Sequence, residues 1–180
     1  LNTIFDYGSN FGYFSTSLAS VFKNCQIFSI ESQKMEFTKS VFYRQSKMLK
    51  FHRSQIHKLN LKNNFLVNHF IDDKFFKELI KQQITCSLQL MMSFIHWLNI
   101  RNFSELCEKM TEIFAIARIT IIEFPVFSSQ QHNGQNIVNW YNDVGIDNPK
   151  DLVRKVLSSI KTKIYFREIS AGITYRPIDR

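Results

Sequence analysis

The residues best suited to chemistry stand near the start of the chain, in the run Asp6-Tyr7-Gly8-Ser9-Asn10-Phe11-Gly12. Gly8 and Gly12 let backbone approach a ligand closely, and Asn10 between them is the non-glycine residue most tolerant of positive φ, so a tight ligand loop is feasible. Spacing argues against two phosphate-binding alternatives. A dinucleotide fingerprint needs GxGxxG, and counting from Gly8 places Asn10 and Tyr13 at the second and third glycines; no Gly-Lys-Ser/Thr follows for a nucleotide P-loop. Later in the chain, His96 could take a proton from an acceptor hydroxyl or amine, or else be a packed or solvent-facing histidine beside Trp97. Glu123 could be a second acceptor-side group, or else a capping or surface acid. His52 and His57 are five apart, off the i, i+4 face that a helical metal pair uses, so no metal site is expected.

Those residues need elements to position them, and the apolar pattern supplies a repeating series. Thr3 to Tyr7 reads as a strand ending at Gly8, and Phe14, Leu18 and Val21 or Phe22 recur at helical spacing within Gly12 to Phe22. Gln26 to Ile30 reads as a second strand ending at Glu31, followed by a charged helical segment with Phe37, Val41, Met48 and Phe51. Asn64 to Asn68 is a third strand, and Asp72 with Asp73 offers an acidic cap for a helix over Lys74 to Gln82. Thr85 to Trp97 reads as a long central strand buried on both faces. A helix over Asn102 to Phe114 and a β-branched strand over Arg118 to Phe124, closed by Pro125, come next. After a polar loop over Ser128 to Asn136, a helix spans Asp151 to Ile160, and Lys163 to Ile169 with Ile173 to Arg176 reads as a closing antiparallel hairpin. Alternation of this kind implies an α/β fold: a mostly parallel sheet with helices on both faces. In such sheets ligands bind beyond the carboxyl ends of the strands where strand order reverses, which is where Asp6 to Gly12 falls.

Composition narrows the class. The chain has 180 residues, enough for one domain with a proper core. Its 18 Phe against 5 Gly and 3 Pro exclude a low-complexity or disordered polymer. No apolar run is long enough for a membrane span. Cys25, Cys86 and Cys107 are widely spaced without a CxxC pair, so free thiols in a reducing cytoplasm are expected. The net charge of +8 is concentrated: Lys34 to Lys62 holds eight basic residues against Glu36 alone. With Phe37, Phe42, Tyr43 and Phe51 interleaved, this segment could track a phosphate backbone and stack bases, or else be a solvated helix face whose aromatics point at the sheet.

The turn Asp6, Gly8, Asn10, Gly12, continuing through Tyr13-Phe14-Ser15-Thr16, resembles the first motif of class I S-adenosylmethionine-dependent methyltransferases, D/E-x-G-x-G-x-G, with Asn10 at the middle glycine. The resemblance implies a Rossmann-like fold and S-adenosylmethionine as cofactor, held by Asp6, Gly8, Ser9, Asn10, Gly12, Tyr13, Phe14, Glu31 and Ser32. In that family an acid ending the second strand holds the ribose hydroxyls, which is the place of Glu31; a carboxylate accepting two hydroxyl bonds is a strong, orienting contact. The resemblance further points to Asn68, His69 or Asp72 for the adenine, and to His96 and Glu123 as catalytic residues on the acceptor side. Ser87 stands where many members have Asp. It also implies helices ahead of the first strand; since the chain opens on that strand without an initiator Met, the expectation is a single domain over residues 1–180 lacking them.

The expected activity is methyl transfer to an O or N atom of a small molecule, sugar or RNA. No Asn/Asp-Pro-Pro-Tyr/Phe segment follows the fourth strand, which disfavours exocyclic base amines, and no Cys stands in a nucleophile loop for cytosine-carbon chemistry. The alternative is a catalytically inactive module of the same fold that binds RNA or a protein partner through its basic segment.

Overall fold

A computed structural model of the chain describes residues 2–32, 39–72, 74–127, 134–160 and 164–169, with backbone alone for 39–46. The elements run β1 (Thr3–Tyr7), α1 (Tyr13–Val21), β2 (Gln26–Glu31), α2 (Lys39–Lys58), β3 (Asn64–Asn68), α3 (Phe75–Lys81) and β4 (Cys86–Met91). A 3-10 turn (Ile95–Trp97) leads to α4 (Phe103–Ile116), β5 (Ala117–Ile122), α5 (Gly134–Asn142) and α6 (Pro149–Ser159). The five strands form one sheet in the order β3-β2-β1-β4-β5, every neighbouring pair parallel. β1 pairs β2 from Thr3↔Gln26 to Tyr7↔Ile30, and pairs β4 on its other side with Phe5 opposite Gln89. The chain therefore builds outward from β1 through β3 and then returns to lay β4 on the opposite edge of β1, so strand order reverses beside β1.

Each face of the sheet has its own apolar layer, because alternate side chains of a strand point to opposite faces. Ile4, Ile27, Leu88 and Leu90 pack with Ala19 of α1, Ile56 of α2 and Leu61. The other face is larger: Phe5, Tyr7 and Met91 pack under Phe76 of α3, Leu106, Met110 and Ile113 of α4, Trp140 of α5 and Val156 of α6. Two side-chain amides, Asn63 half-buried and Gln89 fully buried, tie helix ends to this frame, where backbone carbonyls would otherwise lack partners. Asn63 Nδ2 lies within 3.2 Å of the carbonyls of Ala19, Phe22 and Cys25 beyond the end of α1. Gln89 Nε2 on β4 donates to the Ile113 carbonyl in the last turn of α4 and to Thr120 Oγ1 on β5, each at 2.8 Å. Beside α1, over β4 and β5, an apolar groove of about 370 Å³ remains, lined by Phe14, Leu18, Val21, Leu90, Met92 and Ile121 among others.

Three expectations from the sequence change. The fourth strand stops at Met91 rather than Trp97: residues 92–94 turn, with Ser93 at φ 49°, and Ile95–Trp97 form the 3-10 turn. The stretch is apolar because both the strand and the turn that follows it are buried, so hydrophobicity alone could not divide them. Helix α5 stands where a polar loop was expected to run to Asn136; Ile137, Trp140 and Tyr141 are fully buried, a helical i, i+3, i+4 set hidden behind a polar start. The closing hairpin is not present among the described residues: 164–169 form no strand, and Ile173 to Arg176 lies outside them. Among the described residues no helix is long and apolar enough to cross a membrane.

Gln89 is fully buried, so its amide cannot be replaced by water without opening the core. Gln89→Leu should lower stability by about 1–3 kcal/mol, the cost of leaving buried acceptors unpaired, read as a reduced urea midpoint at unchanged m-value.

Candidate functional site

The turn after β1 is a succession of left-handed residues. Gly8, Asn10 and Gly12 have φ of 66°, 52° and 82°, a region that L side chains rarely enter and that asparagine tolerates best. This explains why asparagine can stand at the middle position of the motif. The Gly8 and Ser9 N–H groups donate to the Ile30 carbonyl at 2.9 and 3.2 Å, anchoring the turn to the end of β2. Glu31, one residue further on, reaches back: its Oε2 accepts the Asn10 N–H at 2.8 Å and its Oε1 the Ser32 N–H at 3.0 Å. Turn and carboxylate are thus one hydrogen-bonded unit at the carboxyl ends of β1 and β2.

Space constrains the glycines as firmly as φ does. A Cβ on Gly8 would come within 2.8 Å of the Phe94 ring, and a Cβ on Gly12 would overlap the ring of His52 from α2. His52 is fully buried, with Nε2 3.3 Å from Ser15 Oγ in the first turn of α1. Ser15 also lies near enough to the Asp6 carboxyl to pull its pKa down, against the larger rise from burial.

Burial dominates the electrostatics of this unit. It pushes the Asp6 carboxyl up to about 7, against the lowering effect of Ser15 and with a further rise from Glu31. Burial likewise raises Glu31, partly countered by the Ser32 and Asn10 N–H groups, and pushes the His52 imidazole down to about 4, so that it is neutral. Asp6 Oδ2, Ser9 Oγ and His52 Nδ1 are buried without a hydrogen-bond partner. Three such atoms around one loop are unusual, since buried polar atoms are nearly always paired.

The remaining candidates divide. Ser32 is buried beside Glu31, whereas Tyr13 and Phe14 begin α1 with exposed rings, 75% and 42%, packed edge to face on each other at 5.3 Å. Asn68 pairs in register with Glu31, and the His69 N–H donates to the Glu31 carbonyl, so both flank the carboxylate at the sheet edge; Asp72 instead accepts the Lys74 N–H. His96 and Glu123 both belong to the turn that follows β4, one within it and one holding it. His96 is 2% exposed in the 3-10 turn, its ring tilted on Trp97 at 5.3 Å, because the strand that was to carry it to the edge ends five residues earlier. Glu123 Oε2 accepts the Ser93 N–H at 2.8 Å and Ser93 Oγ at 2.7 Å, holding the left-handed turn after β4. Ser15 and His52 were not singled out by sequence as members of this unit. Ser15 lies three residues past Gly12 and is readable as a first-turn residue, but nothing local connects His52 to a loop 40 residues earlier. Among the described residues no group of three or more His, Cys, Asp and Glu could hold a metal ion.

Asp6 and His52 make opposite contributions to the pH dependence of stability. Asp6, raised from 3.8 to about 7, binds more protons in the folded chain, so its stabilisation is full below pH 3.8 and is lost as pH rises through about 7. His52, lowered from 6.5 to about 4, binds fewer, so its stabilisation is full above pH 6.5 and is lost as pH falls through about 4. Between these limits the slopes oppose, each at most about 1.4 kcal/mol per pH unit. Asp6→Asn should therefore leave stability rising from pH 4 to 6.5, and His52→Gln should leave it falling from pH 4 to 7, by urea unfolding at stepped pH. Equal, flat profiles in both variants would show that neither group is perturbed.

Gly12→Ala should cost about 1–3 kcal/mol through strain at positive φ together with displacement of the His52 ring. His52→Ala in the same chain should recover the part due to the clash and leave the part due to φ, a double-mutant cycle read by chemical denaturation.

No family model matches the chain, and no curated protein matches it. Solved structures do align with it. One is a precorrin-6y C5,15-methyltransferase from Geobacter metallireducens, at 14% identity over 65% of this chain and 48% of that one, with a TM-score of 0.43. A TDP-rhamnose 3′-O-methyltransferase of calicheamicin biosynthesis aligns at 11% identity over 80% and 62%, TM-score 0.37. The plantazolicin methyltransferase BamL, solved with a triazolic desmethylPZN analogue and SAH, aligns at 12% identity over 88% and 53%, TM-score 0.37. The chain spans less than two thirds of the length of each of these proteins.

Proposed function

We propose that this chain binds S-adenosylmethionine at the carboxyl ends of β1 and β2 and transfers its methyl group to an O or N atom of an acceptor. The observation that carries this reading is the Asn10 N–H···Glu31 Oε2 bond, which joins a left-handed glycine turn to a half-buried carboxylate at the point where strand order reverses. A nucleoside with an amino-acid tail is the ligand whose parts match that unit. The residues fit the group: Glu31 spends only one N–H bond on each oxygen and keeps lone pairs for the two ribose hydroxyls. Asp6 Oδ2 and Ser9 Oγ, buried without partners, are left for polar groups at the other end of the ligand. Asn68 and His69, flanking Glu31, are the adenine-side candidates.

The bound cofactor would supply an electrophilic methyl carbon on a sulfonium. The protein's own contribution is then placement, since holding the acceptor in line with that carbon removes most of the entropic barrier. The Glu31 and Asn10 bond fixes the nucleoside end, and the Gly8 to Gly12 turn fixes the tail. Glu123 acts in this reading as a positioning residue, holding Ser93 and thereby the wall of the site contributed by the turn after β4. His96, buried against Trp97, packs that wall rather than moving a proton.

Calorimetric titration with S-adenosylhomocysteine should show saturable binding, and Glu31→Ala should weaken it by about 1–3 kcal/mol, the scale of hydrogen bonds to a charged group. NAD titrated in parallel should not bind. Absence of S-adenosylhomocysteine binding by a folded chain would overturn the reading.

A further inference from the structure

The cations of this chain fall into two populations. On α3, α4 and α6 and the segments around them most are paired: Lys77 and Lys109 with Glu112, Lys81 with Glu78, Arg101 with Glu105, Lys150 with Glu168 and Arg154 with Asp151, with Lys74 and Lys155 the exceptions. Four cations of α2 and the turn after it differ. The helix contains no acidic residue from Lys39 to Lys58. Lys50, Arg53 and Lys58, with Lys62 just beyond, are exposed and have no carboxylate partner among the described residues. Met48, Leu49 and His52 turn inward, so these cations share the solvent face.

Aromatic rings meet this stripe at the candidate cofactor loop. Phe51 is 49% exposed and packs edge to face at 5.7 Å on Phe11, a residue of the left-handed turn that is itself 45% exposed. Lys50 and Arg53 flank Phe51 and His52 in the helix, and the His52 ring fills the space beside Gly12. The stripe is therefore continuous with the loop. Unpaired cations along a helix beside open aromatic faces form the combination that binds single strands: phosphates by charge, bases by stacking.

We infer that the solvent face of α2, with Phe51 and Phe11, is the docking surface for the acceptor and that the acceptor is single-stranded RNA. This rests on the methyltransferase reading only for the word acceptor; the surface stands on charge and rings alone. RNA is favoured over DNA because ribose offers a 2′-hydroxyl, both a hydrogen-bonding group and a nucleophile, that deoxyribose lacks.

The test is fluorescence anisotropy of the whole chain with a labelled 12-nucleotide oligouridylate, its deoxy counterpart and phosphatidylserine vesicles, from 50 to 200 mM salt. The RNA should bind with log Kobs falling against log salt at a slope of about −2 to −3, as about 0.7 per phosphate contacted by the four cations gives. Lys50→Glu with Arg53→Glu and Lys58→Glu should lose at least about tenfold in RNA affinity and flatten the slope, while Lys155→Glu on α6 changes neither. Phe51→Ala should weaken binding about 5- to 100-fold at unchanged slope, since stacking releases no counterions. The triple variant should keep its S-adenosylhomocysteine affinity, which shows that it folds and separates the two proposals. Wild-type chain that binds S-adenosylhomocysteine but not the oligouridylate overturns the RNA surface and leaves the cofactor reading intact. So does tighter binding of the deoxy strand or of vesicles, or an equal loss with Lys155→Glu. RNA binding without S-adenosylhomocysteine binding overturns the enzyme and supports the surface.

Discussion

A single hydrogen bond, from the Asn10 N–H to Glu31 Oε2, joins the two halves of the candidate site and depends on nearly everything beneath it. It forms only if β1 and β2 run parallel in a register that brings Tyr7 opposite Ile30, so that the turn after one strand faces the residue after the other. That in turn requires the Gly8 N–H to find the Ile30 carbonyl, which a right-handed turn would direct elsewhere. Sheet register, left-handed backbone and carboxylate orientation are therefore one constraint at three scales. A carboxylate already oriented by backbone donors need not reorganise when hydroxyl groups arrive, which is the usual condition for tight and selective recognition.

The turn is pressed from below as well as held from the side. His52 fills the space that a side chain at Gly12 would need, and Phe94 fills the space beside Gly8. One ring comes from the crossover helix between β2 and β3, the other from the turn after β4, so the loop is clamped between elements from opposite sides of β1. Packing of this kind is stiff, because interiors are as dense as organic crystals and tolerate little displacement. The titratable groups beneath the loop share the same fate: what buries them also shifts their protonation, so Asp6 and His52 report on the integrity of the clamp.

Most of the sheet was legible from sequence alone, since β1, β2 and β5 each announce themselves by β-branched or aromatic runs bounded by glycine, acid or proline, and β3 by an apolar run between asparagines. The motif at Asp6 to Gly12 was legible because glycine and asparagine positions encode backbone conformation directly. What stayed hidden depended on contacts distant in sequence. The end of β4 at Met91 is set by the Glu123 carboxylate gripping Ser93, 30 residues apart, and no local pattern marks it. The same holds for His52, an unremarkable residue in a basic helix until the fold lays it on Gly12. Helix α5 was obscured for a different reason: its first residues are polar, and only the triplet Ile137, Trp140 and Tyr141 carries the period.

The place of β1 in the sheet has a consequence for the order in which the chain can fold. β1 is the central strand, and its two partners are far apart along the chain: β2 follows roughly 20 residues later, β4 roughly 80. At a synthesis rate of about 5–20 residues per second, the β4 side of β1 stays open for about 4–16 s after the strand itself emerges. Throughout that interval Ile4, Phe5 and Tyr7, all buried in the finished domain, have only half of their cover. The same topology that makes strand order reverse beside β1 thus leaves the nascent chain with an unpaired apolar edge until β4 has been made.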